Sequence, residues 1–264
     1  MFVVIEGLDR AGKATQLKRL FTKTLGKKIA MGRAVQTVLG MEKIVESAAQ
    51  ELAGETLVDK LAPVISKQEI GVFTISFPQY EDTYWGKFIG QALRGDYGDF
   101  SKVNPYFASL PYALDRQKAA PKIRRALRRG DLVIADRYTT SNILYQGAKF
   151  ETDKEFWAYV DWLEHLEYKV LRIPKPDIVF FLDVSPEITT KRVEAYLDSK
   201  KNYLKGKKDI HEENLTLQER AYAVALKLAR KRPNYFVRIE CVTSTGELLP
   251  IEEITQKLLQ YIEI

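Results

Sequence analysis

The opening run Met1–Gln16, MFVVIEGLDRAGKATQ, carries the spacing of a phosphate-binding loop. Gly7, Gly12 and Lys13 fit G-x-x-x-x-G-K-S/T at every position but the last, where Ala14 replaces the hydroxyl. In such a loop successive backbone N–H groups point into one concavity, and the following helix adds the positive end of its dipole. The lysine then reaches the outer phosphates of a bound nucleotide. Further on, Asp136-Arg137-Tyr138 offers an acid that can hold Mg²⁺, often through water, beside an arginine that can neutralise a phosphoryl group. The alternative for that pair is a structural ion pair at a strand end. Tyr112 and Arg116 stand four apart in a helical stretch and so share a face. A ring to stack on a base and a guanidinium to hold a phosphate bidentately suit a nucleoside monophosphate, although Tyr112 alone would equally serve packing. Phe77-Pro78-Gln79-Tyr80 adds a stiff turn whose aromatic can flank a planar base.

Groups so far apart in the chain need a scaffold that gathers them. Phe2–Glu6, Gly71–Ser76, Asp131–Ala135, Asp177–Asp183 and Tyr235–Cys241 are short, nearly continuous apolar runs, as strands buried on both faces should be. Helical patterns lie between them, so the spacing predicts an α/β fold with a five-stranded parallel sheet and helices on both faces. Open sheets of this kind bind ligands beyond the carboxyl ends of their strands, and the loop, FPQY and DRY motifs all follow predicted strands. Leu17, Leu20 and Phe21 mark a first helix over Thr15–Leu25, and Pro186–Leu197 a later one. Residues 26–70 contain no strand signal and read as a helical elaboration between the first helix and the second strand. Lys200–Asp209, KKNYLKGKKD, is either a solvated face or part of a lid over the phosphates, spanning 198–214.

Composition narrows the partners. The 264 residues, 45% hydrophobic and 29% charged, suit one domain over 1–264. A net charge of +6 suits an anionic small molecule; a nucleic-acid partner is disfavoured because the positive charge gathers around phosphate-binding turns. The single cysteine, Cys241, excludes an internal disulfide, and with two histidines it leaves little to bind zinc. No run approaches the apolar length of a membrane span, and the expected location is cytoplasmic, with no membrane partner.

Taken in order, IEGLDRAGKATQ, FPQYEDTYWGKFIGQALRG, YALDR, DLVIADRYTTSNILYQG, PDIVFFLDVSPEITTKR and LTLQERA resemble the thymidylate kinases, over Phe2–Gln16 and again from Gly71 onward. The resemblance implies a P-loop NTPase fold and transfer of a phosphoryl group from MgATP to dTMP. It implies an ATP site at Gly7, Arg10, Ala11, Gly12, Lys13, Ala14 and Thr15, with Arg192 near the adenine. Asp9 would contact the sugar 3′-hydroxyl, Phe77 and Tyr112 the thymine, and Arg116 its edge. Arg137 would hold the acceptor phosphate, and Asn142 and Tyr145 the wall beside the deoxyribose. Lys13, Arg10, Arg137 and Asp136 would form the catalytic set, with Mg²⁺ on Asp136 through water. A homodimer is also implied. Four features depart from the family pattern: Ala14 for a hydroxyl, Tyr80 for an arginine, a lid segment Asp209–Glu212 without arginine, and the 26–70 elaboration. Other readings are a kinase of another deoxynucleoside monophosphate or of a deoxynucleoside, or a nucleotide-binding interaction protein with little turnover.

Overall fold

Five runs of β-branched and aromatic residues form strands β1 (Phe2–Glu6), β2 (Val72–Ser76), β3 (Leu132–Asp136), β4 (Ile178–Asp183) and β5 (Phe236–Glu240). Each lies within one residue of its expected ends. In the computed structural model, which describes residues 1–30, 71–190 and 215–262, they pair in parallel in the order β2-β3-β1-β4-β5. The helices are α1 (Lys13–Ala30), α2 (Tyr84–Leu93), α3 (Pro105–Arg128), α4 (Thr139–Tyr145), α5 (Asp153–Glu164), α6 (Leu215–Lys231) and α7 (Ile251–Leu259), and residues 186–190 are helical too. A π-helical turn, His165–Val170, continues α5. Most of the 26–70 elaboration, the rest of Pro186–Leu197, Arg192 and the 198–214 lid segment lie outside the described residues.

The period-two alternation of a strand sends successive side chains into two separate cores. Phe2, Val4, Val133, Ala135, Val179 and Phe181 meet α3 and α6 on one face through residues such as Ile123, Ala221 and Leu228. Val3, Ile5, Ile134, Phe180 and Leu182 meet Leu20 and Phe21 of α1 and Leu258 of α7 on the other. Cys241 is a free, buried member of this second core, as expected of a small apolar residue. Phe180 and Phe181 are fully buried, and truncating either to alanine removes about 3–5 kcal/mol of packing.

Two local devices bring the motifs to the carboxyl edge of the sheet. Gly12, at φ +96°, turns the chain directly into α1, and the Gln16 N–H donates to the Gly12 carbonyl at 3.0 Å. The first helix therefore starts at Lys13, two residues before its apolar pattern, and runs to Ala30 rather than Leu25. At the other device Thr83 caps α2, its hydroxyl accepting from the Gly86 N–H at 2.8 Å. Gly86 must lack a side chain, because a Cβ there would lie 1.8 Å from the Gln79 carbonyl oxygen. The FPQY turn is thus pressed against the first turn of α2.

Candidate active site

The loop between β1 and α1 closes around the Lys13 ammonium. Lys13 is buried and donates to the Gly7 and Leu8 carbonyls at 3.1 and 2.8 Å. Burial and the nearby Arg137 cation push its pKa down from 10.5 to about 8, against the pull of Asp9, Asp136 and Glu6. Ala11 is buried, whereas Ala14 and Thr15 are exposed on the first turn of α1. Gly7 sits close to β4, where a Cβ would lie 3.3 Å from the Leu182 carbonyl oxygen. Arg10 and Arg137 both occupy the left-handed region, at φ 64° and 62°. Side-chain-bearing residues there carry strain of about 1–3 kcal/mol each, a departure that clusters at functional sites.

Arg137 follows β3, and its backbone is pinned from two sides. Its own N–H donates to the Ile5 carbonyl at 3.0 Å. Next to it Glu6, fully buried, accepts from the Tyr138 N–H at 3.1 Å, the Thr140 hydroxyl at 2.7 Å and the Ser141 hydroxyl at 2.8 Å. Burial raises the Glu6 carboxyl above its usual value, while Arg137 and these hydroxyl donors work the other way. The Arg137 guanidinium pairs with Asp9 and lies 5.5 Å from the centre of the Tyr145 ring. Asp9 also accepts from the Gln218 amide at 3.0 Å.

Beyond this pair opens a cavity whose wall includes Asp9, Phe77, Tyr112, Arg116, Arg137, Asn142 and Tyr145. Every position expected around the acceptor therefore lines one cavity. Tyr80, Asp115, Ser141 and Gln146, not singled out in the sequence for this role, line it as well. Gln146 is almost wholly buried, and its side-chain oxygen has no hydrogen-bond partner. Asp115, buried on α3, accepts from the Gln79 N–H at 2.9 Å and from the Thr83 hydroxyl, so it ties the FPQY turn to the helix that carries Tyr112.

Arg116 requires a correction. Its Nε and Nη2 donate to the two oxygens of Glu167 at 2.8 and 2.6 Å, and Nη1 donates to the Tyr138 carbonyl at 3.2 Å. The Nε–Nη2 side of the guanidinium already holds a carboxylate and is closed to a phosphate; an approach to a neutral group through the remaining N–H donors of Nη1 and Nη2 stays open. Burial opposes its charged form, while the Glu167 carboxylate, with smaller contributions from Tyr138 and Tyr168, acts the other way, and the Arg116 pKa is raised above the ordinary arginine value.

A magnesium ion in a phosphotransfer site is held by one or two carboxylates together with phosphate oxygens and water. Asp136 fits that role. One of its carboxylate oxygens is buried with no hydrogen-bond partner, and the group acts electrostatically on both Lys13 and Arg137. Among the described residues there is no cluster of three or more His, Cys, Asp or Glu able to hold a metal alone. No helix among them is long and apolar enough to cross a membrane.

The thymidylate kinase family model matches residues 54–248. That span begins inside the 26–70 stretch and leaves the phosphate loop outside it. A thymidylate kinase of Mycobacterium tuberculosis (strain H37Rv) is 32% identical over 174 residues, 66% of this chain and 79% of that protein. The thymidylate kinase of Paraburkholderia phytofirmans is 27% identical over 264 residues, covering 100% of this chain and 97% of its own. Among solved structures, thymidylate kinase from Candida albicans has a similar fold, with a TM-score of 0.57 at 22% identity, covering 98% of this chain and 89% of that one.

Proposed function

The chain belongs to the thymidylate kinase family, and from that premise we propose that it moves the γ-phosphoryl group of ATP to dTMP, giving dTDP and ADP. The observation that carries this reading is the single cavity whose wall brings together Asp9, Phe77, Tyr112, Arg116, Arg137, Asn142 and Tyr145 beside the phosphate loop. Lys13 and the backbone N–H groups from Gly7 to Thr15 cradle the donor phosphates, and Arg10 bridges donor and acceptor. The acceptor phosphate competes with Asp9 for the Arg137 guanidinium, leaving Asp9 to meet the sugar hydroxyl. Phe77 and Tyr112 hold the thymine between them, Gln146 accepts its ring N–H, and Asn142 and Tyr145 border the deoxyribose. Mg²⁺ beside Asp136 supplies charge neutralisation at the donor phosphates when bound.

Little covalent work falls to the protein in such a transfer; alignment and charge neutralisation carry it. An ADP-release assay over a panel of nucleoside monophosphates tests the proposal. We expect dTMP to lead, dUMP to follow within about 1–3 kcal/mol in transition-state binding for its missing methyl, and purine monophosphates to be nearly excluded. Equal rates with dAMP or dGMP would remove the pyrimidine assignment. No turnover of any monophosphate would leave a deoxynucleoside kinase or a nucleotide-binding protein with little turnover.

A further inference from the structure

We propose that Glu167 is the positioning residue that sets base selectivity in the acceptor cavity, by converting Arg116 from a free cation into a fixed N–H donor for a ring carbonyl. The proposal rests on the acceptor reading above and adds a residue that touches no substrate. Glu167 is fully buried, and both of its oxygens are engaged by Arg116. One of them also accepts the Thr139 hydroxyl at 2.7 Å. Arg116 has three of its donor directions filled, two by Glu167 and one by the Tyr138 carbonyl. A guanidinium carries five N–H groups, so two stay available, and Arg116 forms part of the cavity wall.

The charge balance decides what those two donors select. Arg116 and Glu167 together are neutral, and Glu167 holds both oxygens on Arg116, so the pair adds no net attraction for a phosphate. What it offers is direction. An N–H donor matches the C4 carbonyl of thymine or uracil and faces the C4 amino group of cytosine donor to donor. A site built to donate there rejects the ligand that cannot accept.

The local backbone supports this role. Glu167 lies on the π-helical turn His165–Val170, closed by Leu171 N–H to Leu166 O at 2.8 Å and followed by Ile173 N–H to Glu167 O at 2.8 Å. One wide turn rotates every later side chain relative to a continuous α-helix, and such turns recur at functional sites. The carboxylate that meets Arg116 is carried by this widened segment.

Glu167→Gln keeps the volume and places a donor against Arg116; Glu167→Asp keeps the charge and draws it back; Thr139→Val removes one supporting hydroxyl. Steady-state kcat and KM are measured for dTMP and dCMP, with the KM for ATP as an internal reference and thermal melting as a check on folding. For Glu167→Gln we expect the KM for dTMP to rise about tenfold or more, kcat to stay within about threefold, the ATP KM to hold, and the preference for dTMP over dCMP to fall about tenfold. Glu167→Asp and Thr139→Val should shift the preference the same way by less. A general loss of kcat with an unchanged preference would assign Glu167 to structure alone and overturn the proposal. Should Glu167→Gln not fold, the other two variants decide, and an unaltered preference in both overturns it. If the unaltered chain turns over dTMP while the variants discriminate as it does, only this proposal fails; if the unaltered chain does not turn over dTMP, the function and the proposal fall together.

Discussion

Lys13 shows at the scale of one residue what it costs the loop between β1 and α1 to bury a cation. Its pKa falls from 10.5 to about 8 on folding. Below pH 8 the ammonium is charged in both states, and the folded chain carries the full penalty of burying it. Between about pH 8 and 10.5 the folded chain has released a proton that the unfolded chain keeps, so stability rises with pH across that window. The penalty at neutral pH is on the order of 3 kcal/mol. Lys13→Met should therefore melt higher than the unaltered protein at pH 7, with the gap closing toward pH 10, while losing ATP turnover. In the unaltered protein kcat/KM for ATP should decline above about pH 8, as the free loop gives up its charge. Equal melting at pH 7 would show that the buried ammonium carries no penalty. The turn made by Gly7, Gly12 and Lys13 was legible in the sequence because its spacing is local to one short loop. Glu6 and Glu167 were not. Glu167 meets Arg116 across 51 residues, and no spacing encodes that encounter. The same blindness made the Arg116 fork look available for a phosphate.

At the scale of elements, the FPQY turn, α2 and α3 act as one unit. Asp115 on α3 holds the Gln79 N–H and the Thr83 hydroxyl, and Thr83 in turn caps α2. Gly86 admits the Gln79 carbonyl. Alanine is the better helix former by about 1 kcal/mol, yet Gly86→Ala puts a methyl where that oxygen lies. We expect a net destabilisation of about 1–3 kcal/mol, as in other overpacked sites. The KM for dTMP should rise, because Pro78 and Tyr80 on the displaced turn line the cavity, and the ATP KM should stay level. Melting curves and the two KM values check this; a more stable variant would mean the turn yields freely. The strands were readable to within a residue, since hydrophobicity buried on both faces leaves a continuous apolar signature. The π-helical turn was not, because one extra residue in a turn hardly disturbs a helical period. Pro111 and Pro121 inside α3 likewise run against propensity; the burial of Ala108, Ala113, Ala119 and Ala120 accompanies them.

For the molecule as a whole, a ligand that binds only the folded chain raises its stability by mass action. At a hundred times its Kd, dTMP should add about 2.7 kcal/mol, which for a chain of this size moves Tm upward by about 5–10 °C. UMP should move it less than dUMP at the same concentration, because the Tyr145 ring borders the sugar in the proposed complex. Equal shifts in a thermal melt would remove Tyr145 from sugar discrimination. The strand order carries one more consequence, for the chain as it is being made. β1 precedes the other four strands in the sequence yet lies in the middle of the sheet, and its two neighbours begin only at Leu132 and Ile178. Until both have been synthesised, the apolar run Phe2–Glu6 has unpaired edges, the kind of surface that invites aggregation. Pairing across such sequence distances is also slow. The loop between β1 and α1, made before either neighbour of β1, therefore takes shape late in the nascent protein, and a fragment ending before β4 would contain every residue of that loop with one edge of β1 unpaired.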